Sequence, residues 1–430
     1  MAREMKDSGI EWLGSIPFDW QLIRGKFLFR ERNEKGNSVK LQLLSPTQKY
    51  GVIPQDLYEQ LSGMKAVKLE ASTDFSSLKS IYEGDFCISL RSFQGGFEYS
   101  AYNGVVSPAY HVFYKTNNIS NAYYRYLFKE HCFIEKMASL TKTFRDGKSI
   151  AFSDFSNSMV PVPSLEEQER IASFLDTECG RIDELIEQTR ASIEEYKKLK
   201  QSVITQAVTK GVRGPRPMKD SGVEWIGEIP EDWEITKFKK LGKCRNGLTY
   251  APQDQCGEEG TLVLRSSNIQ NGKLVFDDCV FVNKHISEEL MVHPNDILIC
   301  SRNGSAKLIG KNAIIPEGLT ASFGAFMMIY RCKSPQYLQY VLSSHIFSYY
   351  LGTFLTVSVN QLTGKSFDNI QFPYPDREEE QNEIINFLDK KCLEIDKLIE
   401  SKQQLLTELE TYKKSLIYEY VTGKKEVYYE

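Results

Sequence analysis

No stretch of this sequence approaches the ~20 consecutive apolar residues that a membrane-spanning helix requires. The N-terminal residues, MAREMKDSGIEW, carry charges where a secretory signal would place an apolar run, so the chain is expected in the cytoplasm. Cysteine is sparse: there are nine in 430 residues, an odd number with no Cys-x-x-Cys pair. This pattern excludes a disulfide framework or a zinc cage and predicts reduced thiols. Histidine is sparser still. His111, His131, His285, His293 and His345 are scattered without ligand spacing, and each reads as a surface or packing residue; only His285 and His293, eight apart, form a pair.

Catalytic signatures are missing as well. Gly364-Lys365-Ser366 has the end of a phosphate-binding loop, but Val359 stands where its first glycine is required, so a turn before a strand is expected there. No glycine fingerprint follows a strand, no Asn/Asp-Pro-Pro-aromatic tetrapeptide occurs, and no segment clusters carboxylates with a lysine. A metal site, a nucleotide site and a methyltransferase site are therefore not expected on this chain.

What the sequence does contain is a duplication. MKDSGIEWLGSIPFDW at Met5 to Trp20 returns as MKDSGVEWIGEIPEDW at Met218 to Trp233, with twelve of sixteen positions identical. The same 213-residue shift relates EEQERIASFLDTECGRIDELIE from Glu166 to EEQNEIINFLDKKCLEIDKLIE from Glu379, pairing Cys179 with Cys392 and Asp183 with Asp396. Each half reads as a short lead-in motif, a divergent body and a helical segment. The boundaries are lead-in 1–20, body 21–163, helix 164–212, linker and second lead-in 213–233, body 234–375, helix 376–423 and tail 424–430.

Ser164 to Glu167 and Asp376 to Glu379 each follow a Pro-x-Pro and have capping-box form, with acidic residues in the first turn. Apolar residues then recur at three- and four-residue steps through Ile171, Leu185, Leu199 and Ile204, and again through Ile384, Leu398, Leu405 and Ile417. Two helices of ~45 residues are expected, each ~65 to 70 Å long. Such long helices need partners, and the simplest arrangement is an antiparallel coiled coil of the two, pseudo-twofold symmetric, with a body at each end. The bodies read as α+β. DFCISLRS, DILICSRN, LVLRSSNI and KLQLLSP look like strands closed by polar turns, and NAYYRYLFKEHCFIEKM and PQYLQYVLSSHIFSYYL look helical.

The whole chain carries 53 Lys+Arg against 57 Asp+Glu, a formal charge of -4. Divided by segment, that total separates by sign. Residues 20–160 stand at +5 and 234–375 at +3, whereas helices and lead-in segments are all negative. Two duplicated bodies that are both basic fit phosphate contacts. Arg91 and Arg302 lie at matched places after the strand-like runs, among polar residues that include Ser92 and Asn303. Each fits bidentate reading of guanine or a phosphate contact, and each fits equally a surface arginine or one paired to Asp85 or Asp296. Lys148, Lys365, Arg265 and Asn268 are further candidates. On the helices, Phe174, Leu175, Tyr196, Phe387, Leu388 and Tyr412 are the positions offered to a protein partner. The residues alone also leave open a coiled-coil scaffold without sequence reading, or an enzyme with an unrecognised site.

Taken in order, the motifs resemble a known family. They are W-(L/I)-G-x-I-P-x-x-W at Trp12 to Trp20 and Trp225 to Trp233, D-(F/I)-x-I-x-x-R at Asp85 to Arg91 and Asp296 to Arg302, and E-Q-x-x-I-x-x-F-L-D ending at Asp176 and Asp389. Together they resemble the DNA specificity (S) subunit of type I restriction-modification systems across essentially the whole chain. Asn295 departs from the pattern, standing where Gly84 stands in the first copy. The resemblance implies two target recognition domains, each reading one half of a split double-stranded DNA site, with the helices setting the spacer. It implies no catalysis and no cofactor on this chain. Two modification (M) subunits would bring S-adenosylmethionine and adenine N6 methylation, and restriction (R) subunits would bring ATP- and Mg2+-dependent translocation and cleavage.

Overall fold

The computed structural model describes residues 3–36, 42–64, 75–140, 150–354 and 361–427. The near-identical lead-in motif folds as a small hairpin in both copies. Met5–Asp7 pairs antiparallel with Ser15–Pro17, and Met218–Asp220 with Glu228–Pro230. Its repeated glycines have a conformational reason: Gly9, Gly14, Gly222 and Gly227 all take φ between 59° and 72°, a left-handed region open to glycine without steric cost. Asp7 and Asp220 each accept the amide of the glycine two residues on, closing the turn.

Each body is built on a four-stranded antiparallel sheet. In the first, the strands are β1 (Phe29–Arg32), β2 (Phe86–Ile88), β3 (Glu98–Tyr99) and β4 (His111–Lys115), in the order β1-β4-β2-β3. The second has β5 (Gly242–Asn246), β6 (Ile297–Cys300), β7 (Asn312–Ile314) and β8 (Met327–Cys332), in the order β5-β8-β6-β7. The two orders are the same, so the duplication extends into bodies whose sequences have almost lost their likeness. Divergence lies in what is added. The first body carries the hairpin Leu44–Thr47/Gly51–Pro54, whereas the second adds a separate four-stranded sheet that includes a parallel pairing of Thr261–Leu264 with Ser322–Phe323. The aromatic-rich segments form two successive helices in each body, Asn121–Leu127 then His131–Ser139 and Pro335–Ser343 then His345–Phe354.

Helix α1 spans Leu165–Lys210 and helix α2 spans Glu378–Val421, 46 and 44 residues. Ser164 caps α1 by accepting the Glu167 amide at 3.2 Å. The Glu167 side chain does not complete the box; it turns instead to Arg3 and Trp20. In the second copy the expected box at Asp376 is absent. One extra residue between Pro375 and the helix moves Asp376 out of the capping position, and α2 begins at Glu378. None of these helices is long and apolar enough to cross a membrane, among the described residues.

The compact units do not coincide with the sequence repeats. One comprises Met1–Arg190 with Gln404–Glu430, and the other Ala191–Gln403. Each therefore contains part of both long helices, and within each the helices run antiparallel. In the first unit Lys413 bonds Asp183 and Arg190 bonds Glu410; in the second Lys200 bonds Asp396 and Arg213 bonds Glu383. Asp183–Lys413 and Asp396–Lys200 are one interaction made twice, since both residues shift by 213. The first unit's core is a cluster of buried phenylalanines, Phe29, Phe86, Phe97, Phe113, Phe128 and Phe155, extended by Leu175, Ile182 and Ile186 from α1 and by Leu416 and Val421 from α2. The second gathers Phe238, Tyr330, Phe367 and Phe372 with Ile204 and Val208 from α1 and Ile384 and Leu388 from α2. At ~1.5–3 kcal/mol per buried side chain, these helix ends are integral to the bodies they cover. All nine cysteines are free thiols.

Candidate nucleic-acid interface and helix surface

The matched Asp-strand-Arg segments share one geometry. Asp85 accepts the amide of Tyr82, and Asp296 accepts the amide of His293, three residues back in each case. Asn295 takes φ 69° where Gly84 takes 93°, so the asparagine adopts the left-handed turn that glycine occupies in the first copy. Both aspartates are buried, and each is held by a two-pronged arginine. Arg32 on β1 bonds Asp85 at 2.8 and 3.1 Å; Arg331 on β8 bonds Asp296 at 2.7 and 2.8 Å. The aspartates are thereby committed, and Arg91 and Arg302 are not their partners. Both arginines are exposed, and neither side chain makes a hydrogen bond or ion pair with any described residue.

In the second unit Arg302 lies over the ring of Phe326, 5.4 Å from its centroid, and Phe326 is itself 58% exposed. Asn303 donates to the Ser266 hydroxyl at 3.2 Å, which joins the loop after β6 to the loop after Thr261–Leu264. Two loops that the sequence could only name separately thus share one surface. Arg265 reaches Asp278 in an exposed pair at 2.7 Å, worth ~0–1 kcal/mol and readily exchanged. Asn268 corrects the sequence expectation. It is fully buried, accepts the Arg265 amide and donates to the carbonyls of Val275 and Asp278, so its amide shapes the loop and cannot reach a base. Lys365 is exposed on a one-turn helix, Gly364–Asp368, capped by Thr363, where a plain turn was expected.

In the first unit Ser92 is also a correction. Its hydroxyl is buried and accepts the Ser89 amide at 2.7 Å, holding the turn that carries Arg91. Lys148 lies outside the described residues. Sequence reasoning missed Lys129, whose ammonium reaches the buried carboxylate of Glu98 at 2.6 Å. Burial pushes the Glu98 carboxyl up from 4.5 to about 7 against the pull of Lys129. A carboxyl with a raised folded-state pKa binds more protons folded than unfolded, so its contribution is full below the unfolded value and is lost as pH rises through the folded one. Glu98→Gln is expected to flatten the pH dependence of unfolding between about pH 5 and 7, by on the order of 2–3 kcal/mol. Urea denaturation at both pH values measures this; identical slopes for variant and parent would refute it.

On the helices, Leu175 and Leu388 are fully buried in the two cores and are not available to a partner. Phe174 is half-buried against Tyr420, and Lys402 lies over the ring of Tyr196. Phe387 and Tyr412 are exposed, at 39% and 56%. So are Leu185, Leu199 and Leu398, which the apolar spacing had placed in the helix seam. At 100° per residue, Leu185 and Tyr412 sit on the flank opposite Asp183 and Lys413 in the first unit. Leu398 and Leu199 do the same opposite Asp396 and Lys200 in the second. Each unit therefore exposes two apolar residues on the side away from that ion pair, and the two pairs are repeat-equivalent.

No group of three or more His, Cys, Asp or Glu side chains among the described residues could hold a metal ion. Residues 25–195 and 230–411 each match the type I restriction modification DNA specificity domain. The chain is 27% identical over 415 residues to the type I restriction enzyme MjaVIII specificity subunit of Methanocaldococcus jannaschii, covering 93% of this chain and 91% of that protein. It is 29% identical over 178 residues to the EcoKI specificity subunit of Escherichia coli K12, covering 40% of this chain and 38% of that one. A chain solved in work on complex assembly and conformational transition of the type I R-M system superposes with TM-score 0.73 at 15% identity, covering 95% of this chain and 99% of its own. The HsdS subunit from Thermoanaerobacter tengcongensis gives TM-score 0.50 at 15% identity, covering 95% and 98%. At such identities the structural likeness speaks for the fold.

Proposed function

This chain belongs to the type I restriction-modification DNA specificity family, and from that membership we propose that each of its two units reads one half of a split duplex DNA sequence. Specificity subunits are the non-catalytic members of these complexes and carry no cofactor of their own, which accounts for a sequence without nucleotide or methyl-donor motifs. The observation that carries the finer reading is the matched pair Arg91 and Arg302. Each follows the same strand of the same duplicated sheet, each is exposed, and each neighbouring aspartate already has another arginine. A free guanidinium in a polar loop is suited to the two acceptors of guanine or to a phosphate. Basic bodies supply the non-specific attraction, so affinity should fall steeply with salt.

The helices set the separation between the half-sites, and their exposed apolar residues, Leu185 with Tyr412 and Leu398 with Leu199, suit two modification subunits binding equivalent surfaces. S-adenosylmethionine, ATP and Mg2+ belong to the modification and restriction subunits in this reading. Replacing residues 21–163 with the corresponding body of a relative tests it. Methylated-adenine mapping in cells that also express the modification subunits should show one half of the methylated sequence changed and the other retained. An unchanged sequence would sink the proposal, and methyl transfer by the isolated chain would overturn its non-catalytic assignment.

A further inference from the structure

We infer that in the first unit the Thr47–Gly51 turn and the Arg91–Gly96 turn form one composite DNA-reading surface, in which Lys129 is the positioning residue that fixes the two turns against each other. The inference rests on the assignment of this face to DNA made above. Lys129 follows the helix Asn121–Leu127 and is partly buried. Its ammonium donates to three acceptors: the carbonyl of Gln48 at 3.3 Å, the carbonyl of Gly95 at 2.8 Å and the carboxylate of Glu98 at 2.6 Å. An ammonium has three N–H donors, and here each has a partner, one on each turn and one on β3. No donor is left over for a phosphate.

A second observation, independent of the lysine, joins the same two turns. Gly95 has no side chain because the space beside it is filled: an added Cβ would lie 2.6 Å from Gln48 Cγ. The hairpin is also pressed onto the sheet, since a Cβ at Gly51 would meet the Tyr99 carbonyl at 2.7 Å, and Thr47 closes its turn by donating to the Gly51 carbonyl. The exposed polar side chains on the joined surface are Gln48, Lys49, Arg91 and Gln94. Reading one base step with groups from two turns requires their separation to be held within ~0.5 Å, which independent surface loops do not provide.

The test uses the full chain expressed with its modification subunits, comparing Lys129→Met and Gly95→Ala with the parent by genome-wide mapping of methylated adenine and by the salt dependence of duplex binding. Both variants should relax discrimination about tenfold at positions in one half-site, with the other half-site unchanged. The slope of log affinity against log salt should stay the same, because Lys129 touches no phosphate. A slope reduced by about one would mean that Lys129 is a phosphate contact, and would overturn the inference. Unchanged methylation profiles for both variants would also overturn it. Arg91→Ala separates the two levels: if it alters the profile while Lys129→Met and Gly95→Ala do not, only the staple is wrong, whereas if it too is silent, the DNA assignment of this face falls as well. Should Lys129→Met fail to fold, Gly95→Ala decides alone, since Gly95 is not in the left-handed region and the three atoms nearest an added Cβ all belong to the Gln48 side chain.

Discussion

Ending the chain at Gln403 is expected to unfold the first unit, although the deleted residues lie more than 200 positions from the body that they support. Leu416, Val421 and Val427 are buried in the first unit's core, and Leu406, Leu409, Ile417 and Tyr420 pack against it. The buried Tyr123 hydroxyl donates to the Val421 carbonyl at 2.7 Å, and Lys424 donates to the carbonyls of Leu13 and Ser15 in the lead-in hairpin. Three buried side chains at up to ~1.5–3 kcal/mol each remove up to ~5–9 kcal/mol, comparable with the whole stability of a typical domain. The buried Tyr123 hydroxyl would also lose its acceptor, and the carbonyls of Leu13 and Ser15 the ammonium that they accept from. Hydrogen exchange of peptides from β1, β2 and β4 measures the effect. Protection retained in those strands after the truncation would show that the first unit is self-sufficient.

Replacing Glu167 with alanine is expected to cost the first unit about 3–5 kcal/mol, more than the same change at its repeat twin Glu380. Glu167 is buried and takes Arg3 at 2.5 and 3.1 Å and the buried indole N–H of Trp20 at 2.9 Å. Its removal leaves the buried Trp20 indole donor without its acceptor and Arg3 with only the exposed Asp19, at 3.2 Å. Glu380 holds Arg216 at 2.5 Å, but the indole nitrogen of Trp233 is already without a partner. Arg213, 3.7 Å from Glu380, keeps its bond to Glu383, so Glu380→Ala strands no indole donor, and that difference is worth about 1–3 kcal/mol. Unfolding followed by hydrogen exchange in each unit separates the two costs; equal losses would refute the role given to the Trp20 indole.

Much of this was legible from residues because it is local. The lead-in is legible as a repeated motif, whereas its pairing into a hairpin comes from the structure, which puts its repeated glycines in left-handed turns. The two long helices follow from apolar spacing, and their ends from Pro-x-Pro and Gly211. Even Arg91 and Arg302 could be singled out, because a repeat preserves position after side chains have diverged. Asn268 and Ser92 misled for a local reason too. Ser and Asn close their own turns as readily as they bind a ligand, and sequence does not say which way the side chain faces.

By itself, then, the sequence determined the duplication, the helices, the sign of charge on each segment and the family resemblance. Each is set by covalent neighbours, by a period of 3.6 residues or by comparison of one half with the other. Only the tertiary structure decided that Leu175 and Leu388 are core while Leu185 and Leu398 are exposed, that Arg32 and Arg331 release Arg91 and Arg302, and that Lys129 joins two turns. It also decided that the end of α2 completes the first unit and the end of α1 the second. Burial and pairing depend on groups brought together from up to several hundred residues away, and a helix period identifies an apolar stripe without saying what will cover it.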